Sequence, residues 1–319
     1  MKLNRLLAAL SAAGLMAMIG PAQASITFQF NPLGNGTGLG LINNAGILDQ
    51  APGNDNAVDG AGLGAVLPVG LTIHDLYQAN LGSVQALDTT NLFSNGTNGG
   101  FGGPNRFFTF VASFAEKVVA SVVVPISGGF QFINNFSVNG GGTFKMCAKS
   151  AIGGNLSGVG FGCAGNGILS GRIDGGDSSQ TATFKGASPF VQLDQAGGSN
   201  DWPGVTTIPT IGTADLVATI GFVDANYFPD LRIGNKIAVN SSLVTPYKQV
   251  DPSRRFSTGL VTDDTATNIG AVNGVSGPNF IFAADANSSF DAPEPGALAL
   301  GGIALAGLAL MRSRRKQSV

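Results

Sequence analysis

The two cysteines are the first residues in this sequence whose spacing suggests chemistry. In TFKMCAK, side-chain alternation along a strand places Cys147 opposite Phe144 and Met146, beside two lysines. A thiol on a polar face oxidises readily in an exported protein. Cys163 follows after fifteen residues, five of them glycine, so the chain folds back easily. The sequence therefore predicts a Cys147–Cys163 disulfide, which stabilises by roughly 3 kcal/mol in the loop-entropy account.

The single histidine limits the catalytic hypotheses. His74 stands beside Asp75 in TIHDLYQAN, but the sequence contains no G-x-S-x-G or H-E-x-x-H pattern. The glycines of GNGTGLG, residues 34–40, are spaced by two, so this stretch misses G-x-G-x-x-G, and no P-loop lysine follows it. A catalytic cysteine would depend on this only histidine. One histidine and two cysteines are also too few ligands for a zinc site. We therefore expect no catalytic residue, no metal site and no cofactor, and His74 is predicted to be structural. Paired carboxylates leave no motif, so a glycan hydrolase that uses them is the alternative.

Oxygen-bearing side chains cluster in the stretch APGNDNAVDG, residues 51–60. Asn54, Asp55, Asn56 and Asp59 are the kind of ligands that calcium prefers, although their spacing is not that of an EF-hand. Such residues usually cap turns by bonding their own backbone. The stretch is therefore predicted to be a loop that binds no metal. The chain has few side chains for stacking on sugars, namely Trp202, Tyr77, Tyr227 and Tyr247.

The composition favours an all-β body of many short strands. The chain contains 48 glycines and 21 phenylalanines, and only 11% of its residues are charged. FQFINNFSV and RFFTFVASF alternate apolar and polar residues, whereas KVVASVVV is apolar on both sides and is predicted to be a central strand. Gly-rich NGGG is predicted to be a turn and HDLYQANL a short helix. The predicted fold is an antiparallel β-sandwich or jelly-roll-like body.

The N-terminus has the three parts of a secretory signal. A basic start is followed by an uncharged apolar run from Leu6 to Ile19 and by a small-residue cleavage site. The residues involved are Lys2 and Arg5 at the start, then Ala22, Ala24 and Ser25 at the cleavage site. Residues 1–24 are thus predicted to be a cleaved signal helix. An uncleaved anchor is disfavoured because the apolar run is short for a full span.

The C-terminus has the features of a second targeting signal. Gly296 to Met311 is uncharged, and a helix of that length reaches about 24 Å, short of the ~30 Å hydrocarbon core. Basic residues follow at once and stay cytoplasmic. The segment is predicted to be a short apolar helix that pauses in the inner membrane, a permanent tail anchor being the alternative. The residues that define it are Pro293, Glu294, Pro295, Arg312, Arg314, Arg315 and Lys316.

This ending, residues 292–319, resembles the PEP-CTERM sorting signal of bacterial exported proteins. The resemblance implies export in a Gram-negative bacterium and removal of the tail by a membrane protease, an exosortase. Blocks of the body (residues 25–291) also resemble flocculation-associated PEP-CTERM proteins of the PepA type: ILDQAPGNDNAV, LYQANL, RFFTFVASFAEKV, NSSLVTPYKQVDPSRRF and FIFAADANSSFDAPEPG. That resemblance implies a role with extracellular polysaccharide in flocs or biofilms, and it brings no catalytic motif.

The charge of the body agrees with this expectation. Without the signal, residues 1–24, and the tail after Pro295, 11 basic and 19 acidic residues remain, a net charge of about −8. Such a body lacks the basic footprint that nucleic acid binding requires, and anionic membranes repel it. The sequence therefore predicts an exported structural or adhesive protein of the cell surface or extracellular matrix.

Overall fold

The structure is a computed structural model, and it describes residues 25–58, 66–94, 107–155, 157–186, 210–245, 255–256, 267–268 and 280–291. These residues form strands and one 3₁₀ turn, Gly175–Asp177, with no α-helix among them. The strands are β1 Ser25–Ile26, β2 Phe28–Phe30, β3 Ile42–Ala45, β4 Ile47–Val58, β5 Thr72–Gln85, β6 Asn91–Ser94, β7 Phe107–Ile126, β8 Gly129–Lys149, β9 Leu169–Ile173, β10 Ser179–Gly186, β11 Thr210–Val223, β12 Lys236–Thr245, β13 Arg255–Phe256, β14 Thr267–Asn268 and β15 Phe280–Asp291.

The chain divides into two units, and the strands belong almost entirely to the one that spans Ile26–Phe290. The other unit comprises Met1–Ser25 and Asp291–Val319, of which only Ser25 and Asp291 are described. The predicted signal helix and the predicted C-terminal helix therefore lie outside the described residues. Among those residues, we find no helix of the length and apolarity needed to span a membrane.

The main sheet closes on itself. Its strands pair in the order β4-β5-β7-β8-β10-β11-β12-β15, and β15 pairs with β4 to complete a ring of eight strands. The eight strands pair in the same order in which they occur along the chain, as in a series of hairpins. The antiparallel all-β prediction is confirmed, but the main strands form one closed sheet and not two stacked ones. A closed sheet leaves no long edge for another chain to pair with.

Side-chain alternation places one apolar face inside the ring. Phe132, Phe136 and Val138 of β8 are buried there, as FQFINNFSV predicts, while Ser137 points outward and is exposed. Phe108, Phe110 and Phe114 of β7 are buried in the same way. The period of two read from these stretches is therefore the inward-outward alternation of the sheet.

A cluster of aromatic rings fills one end of the ring. Phe30 of β2 packs against Phe108 and Phe228 with ring centroids 5.2 Å apart in both pairs. Phe28 packs against Phe290 at 4.7 Å. Because Phe108 lies near the start of β7 and Phe290 near the end of β15, the small β2–β3 sheet packs against this end of the ring. Tilted and edge-on ring contacts of this kind add to the burial of apolar area.

Two segments predicted to be a loop and a helix are central strands. The loop prediction for APGNDNAV was wrong, because this stretch forms β4 and pairs with both β5 and β15. The helix prediction for HDLYQANL was also wrong, because these residues belong to β5, between β4 and β7. Both strands have a partner on each side, and those ladders outweigh the local preference of Asn, Asp and Gly for turns.

The glycines of NGGG do not make a turn. They lie within β8, where its register with β7 shifts between Ser113 and Ala115. A Cβ at Gly142 would stand 2.6 Å from the Cβ of Phe114. Glycine is required here because the two backbones approach closely at a β-bulge.

The valine-rich end of β7 is more exposed than its sequence predicts. KVVASVVV was predicted to be buried on both sides, yet Val119 and Val122 are 51% and 49% exposed. The pairing of β5 with β7 ends at Lys117, and β7 continues to Ile126 with β8 as its partner. The valines therefore stand on a hairpin that extends past β5.

A covering segment, residues 150–168, closes the outer side of β4, β5, β7 and β8. Cys163 in this segment is bonded to Cys147 of β8, with Cα atoms 5.9 Å apart. The Asn80 side chain donates to the Gly153 carbonyl at 2.9 Å and accepts from the Gly153 amide at 2.8 Å. The Lys145 Nζ donates to the Cys163 carbonyl at 3.1 Å. The face of Cys147 is thus buried and not solvent-exposed, contrary to the reasoning from alternation alone.

The close packing of β9 gives the first prediction. Gly171→Ala should lower the free energy of unfolding by about 1–3 kcal/mol, because a Cβ there would overlap the Thr219 carbonyl and the Phe144 ring. Gly176→Ala is the matched control, since nothing lies within 4 Å of the Cβ position. Urea unfolding of both variants is the measurement. Equal stability of the two would contradict this packing.

Candidate functional site

The strongest concentration of chemically active groups lies inside the ring. Asp55 of β4 stands opposite Tyr77, and Asp75 of β5 stands opposite Phe114. Glu116 of β7 stands opposite Ile73 and two residues beyond Phe114, so it shares the inner face with Asp75. The three carboxyl groups, here called the acidic trio, are 3%, 0% and 1% exposed.

Burial dominates the electrostatics of the acidic trio. It raises the pKa of Asp55 from 3.8 to about 7, an effect that a hydrogen bond with the Asn56 backbone partly opposes. Burial also raises the pKa of Asp75 well above its usual value, and the charges of Glu116 and Asp55 raise it further. The pKa of Glu116 rises through burial first and then through the charge of Asp55. The three groups therefore favour their neutral forms.

Asp75 and Glu116 form a carboxyl pair that requires a proton. As ionised carboxylates these groups could only accept hydrogen bonds, and no donor reaches either oxygen of Asp75 or Oε2 of Glu116. A proton on Asp75 supplies the missing donor, and its hydrogen bond to Glu116 raises the pKa of Asp75 while opposing the rise at Glu116. We conclude that the pair holds at least one proton, as in pairs of carboxyl groups that cannot both ionise.

A hydrogen-bonded chain of neutral groups adjoins the trio. Tyr77 Oη donates to Gln50 Oε1 at 2.7 Å, and Gln50 Nε2 donates to Ser288 Oγ at 2.7 Å. This chain joins β5 to β4 and β4 to β15, across the pairing that closes the ring. Each buried polar atom in it has a partner, which is the condition for burying such groups at small cost.

The interior has room for water but not for a sugar. One cavity of about 30 Å³ is bordered by Gln50, Tyr77 and Ser288, and another of about 20 Å³ by Asp55, Tyr77 and Ser241. Volumes of this size accommodate a water molecule or two. The cavity that Asp55 borders therefore admits water and no sugar, and Asp75 and Glu116 are buried.

The structure separates the residues that sequence reasoning considered together. His74 and Asp75 are neighbours on β5, so His74 points outward and is exposed while Asp75 points inward. They do not form a base and its orienting partner. Asp55 likewise points inward, while Asn54 donates through Nδ2 to the Asn155 carbonyl of the covering segment at 3.2 Å. Asn54 and Asp55 thus point to opposite sides of the sheet, and Asp59 lies outside the described residues. No group of three His, Cys, Asp or Glu that could hold a metal occurs among the described residues.

The acidic trio was missed from the sequence although a signal for it exists. Asp75 lies between Ile73 and Tyr77, and Glu116 lies between Phe114 and Val118, at the apolar positions of the period-two pattern. A carboxyl group at such a position is predicted to be buried. Assigning a helix to HDLYQANL concealed the pattern in β5.

Burial of Asp55 predicts how stability depends on pH. The pKa is raised in the folded state, so the unfolded chain loses this proton first and stability falls as pH rises from about 4 to about 7. The slope is about 1.4 kcal/mol per pH unit for one such group. Asp55→Asn should remove this contribution, worth on the order of 4 kcal/mol at pH 8. Urea unfolding between pH 4 and pH 8 is the measurement.

Asp88→Asn is the control for this experiment. Asp88 is exposed, and the hydrogen bond to Thr90 lowers its pKa. Its titration lies below the tested range, so its replacement should leave the slope unchanged. A wild-type stability that rises from pH 4 to pH 7, or an Asp55→Asn variant with the wild-type slope, would contradict the buried carboxyl.

The two ends of the body meet. Ser25, the residue after the predicted signal cleavage, donates from Oγ to Asp291 Oδ1 at 3.4 Å. Asp291 ends β15, two residues before Pro293. The other predicted signal residues lie outside the described residues: Ala22, Ala24, Pro293, Glu294, Pro295, Arg312, Arg314 and Arg315. The described part of the chain thus brings Ser25, the first residue of the predicted body, next to Asp291, its last residue.

Comparison with known proteins identifies the C-terminal segment. Residues 291–316 match the PEP-CTERM protein-sorting motif. No curated protein and no solved structure gives a significant match to the chain. The match covers the triplet, the apolar run and the arginines that sequence reasoning singled out. The chain therefore carries a PEP-CTERM sorting signal, which indicates exosortase-dependent export to the surface or exterior of a Gram-negative bacterium.

Proposed function

We propose that the body is a non-enzymatic structural or adhesive protein that associates with extracellular polysaccharide in flocs or biofilms. The observation that carries the proposal is the sorting motif at residues 291–316, because it delivers the body to the place where such polymers accumulate. The resemblance of the body to flocculation-associated proteins of the PepA type supports the same role.

The fold supports a structural role in its own way. The ring has eight strands in one closed sheet, and a disulfide fixes the covering segment. Closure protects backbone hydrogen bonds from exchange with other chains, and disulfides persist outside the cytoplasm. These are properties of a body that must last in an extracellular matrix without chaperones.

The enzymatic alternative is a glycan hydrolase with two carboxylates. The carboxyl groups that come together inside the ring are those of the acidic trio, and they are buried there. On the surface, Asp174 and Asp177 come together around Lys236, whose Nζ lies 4.0 Å and 3.0 Å from their Oδ2 atoms. A hydrolase must bring its acid and its base to the scissile bond of the glycan. The buried trio fails that condition, so we favour the structural role.

Binding to a polymer by many weak contacts suits this composition. One hydrogen bond contributes only about 0.5–1.5 kcal/mol in water. Retention therefore requires several contacts on each molecule and many molecules on each polymer, and together these raise the overall affinity without any deep pocket.

Processing can be tested on released protein. We expect its intact mass to lack residues 1–24 and the apolar tail from about Gly296, because an A-x-A site and the sorting motif bracket the body. Released material that retains Gly296 to Val319 would contradict removal of the tail.

Deletion of the gene tests the role in aggregation. We expect cells that grow and make polysaccharide but remain dispersed, and full recovery of flocs with the intact gene. A gene truncated before Pro293 is the matched control for sorting, and it should release the body without restoring flocs. Normal flocs in the deletion strain, or full rescue by the truncated gene, would contradict the proposal. Settling rate and polysaccharide content are the measurements.

A further inference from the structure

The outer surface of β8, β10, β11 and β12 carries two parallel rows of short polar side chains. The backbone register places the members of each row directly opposite one another. The first row is Ser137, Ser179, Asp215 and Asn240. The second row is Asn135, Thr181, Thr213 and Ser242. We call these eight residues the polar ladder.

The ladder is regular because its strands are regular. The pairings of β10 with β8 and β11, and of β11 with β12, run without a shift in register, whereas β4–β5 and β7–β8 contain bulges. Polar groups therefore repeat at about 4.8 Å across the strands and at about 6.7 Å along them. A repeating array of this kind suits a repeating ligand.

Cross-strand hydrogen bonds hold part of the ladder in place. The hydroxyl groups of Thr181 and Thr213 are 3.0 Å apart, and Asn240 Nδ2 donates to Asp215 Oδ1 at 2.7 Å. Short side chains that are already positioned lose little conformational entropy when they bind.

The charge of the ladder narrows the choice of partner. It contains no lysine, arginine or glutamate, and its one carboxylate, Asp215, already accepts from Asn240. An ordinary solvated surface carries both signs of charge over roughly a quarter of its residues. Polyanions, nucleic acid and anionic lipid require several cations, whereas the ladder has none and its neighbour on β7 is the single Lys117, opposite Ser137. Its hydroxyl and amide groups match an uncharged polymer of hydroxyl groups.

An apolar row borders the ladder. Val122, Ile133, Thr183 and Ile211 lie opposite one another on the next step outward from Asn135. Val122 and Ile211 are 49% and 57% exposed. A sugar presents hydroxyl groups at its edge and C–H groups on its faces. A polysaccharide that lies over the polar ladder and the apolar row can therefore form hydrogen bonds with the first and apolar contacts with the second.

The ladder is also accessible. The covering segment lies over the other outer side of the ring, on β4, β5 and β7. Six of the eight ladder residues are exposed, and Asn135 and Thr181 are half-buried.

We propose that the polar ladder is the binding surface for an uncharged, hydroxyl-rich polysaccharide, whose chain lies across β8, β10, β11 and β12. This inference rests on the proposed function and names the surface that performs it. The apolar row contributes contact with the sugar faces. The acidic trio and the interior cavities take no part.

The test is retardation of the purified exported protein in native gels that contain a polysaccharide. The probes are dextran, the uncharged fraction of the producer's own extracellular polysaccharide, and alginate as a polyanion. The variant Thr181→Val/Thr213→Val removes two hydroxyl groups and keeps β-branched side chains of similar shape. Thr72→Val, an exposed position on β5, is the matched control. A second variant, Ser179→Ala/Ser242→Ala, removes two other hydroxyl groups of the ladder, and thermal melting checks that each variant folds.

We expect binding to an uncharged polymer, little binding to alginate, and an affinity reduced about fourfold or more in each ladder variant, since each lost hydrogen bond costs a factor of about two to ten. Thr72→Val should bind as the wild type does. Folded ladder variants with unchanged affinity, wild-type binding to alginate alone, or no binding to any uncharged polymer would overturn the proposal.

A floc assay separates this inference from the proposed function. If both ladder variants restore flocs to the deletion strain and bind the uncharged polymer normally, the ladder is not the binding surface, and the proposed matrix function is retained. If the deletion strain already forms normal flocs, the matrix role itself fails.

Discussion

The pairing of β4 with β15 is the constraint on which the rest of this structure depends. It joins the first long strand to the last and turns a series of hairpins into a closed ring. Closure gives every ring strand a partner on each side, and within the ring it divides the side chains into those that face inward and those that face outward. A strand that is locally unfavourable, such as the Asn- and Gly-containing β4, is held by two ladders at once.

Closure also explains the state of the buried carboxyl groups. Asp55, Asp75 and Glu116 occupy inner positions of adjacent strands, and they cannot reach water without opening the ring. Burial therefore favours their neutral forms, and Asp75 and Glu116 do not both ionise. The neighbouring chain from Tyr77 through Gln50 to Ser288 shows the opposite solution, in which every polar group has a partner. The interior thus contains two kinds of polar group. Hydrogen-bonded side chains join β5, β4 and β15, and buried carboxyl groups make the stability of the ring depend on pH.

The outer surface is where the molecule can meet other molecules. One side is occupied by the segment that the Cys147–Cys163 disulfide holds, with Asn80 and Lys145 binding its backbone. The other side presents Ser, Thr and Asn in register on unbroken strands. The two ends of the body lie together at Ser25 and Asp291, so removal of both signals would leave the ring intact. The export signals, the stabilising disulfide and the proposed binding surface therefore lie in different parts of the chain.

Much of the fold could be predicted from residues whose local pattern agrees with their final environment. The alternation of FQFINNFSV and RFFTFVASF predicts the inner face correctly, because period two depends only on the strand itself. The pairing of Cys147 with Cys163 follows from the short, glycine-rich connection between them. The sorting motif is also local, since it is read as a linear signal.

Other features depend on partners distant in the chain. The stretch APGNDNAV resembles a loop until β15, more than 200 residues later, pairs with it, and only that pairing turns Asp55 inward. The polar ladder likewise exists only when four strands align in register. The sequence by itself determined the all-β class, the inner face, the disulfide and the export signal, because each rests on residues near one another in the chain. The tertiary structure alone decided the closed ring, the acidic trio and the ladder, because each is made of side chains that only long-range pairing brings together.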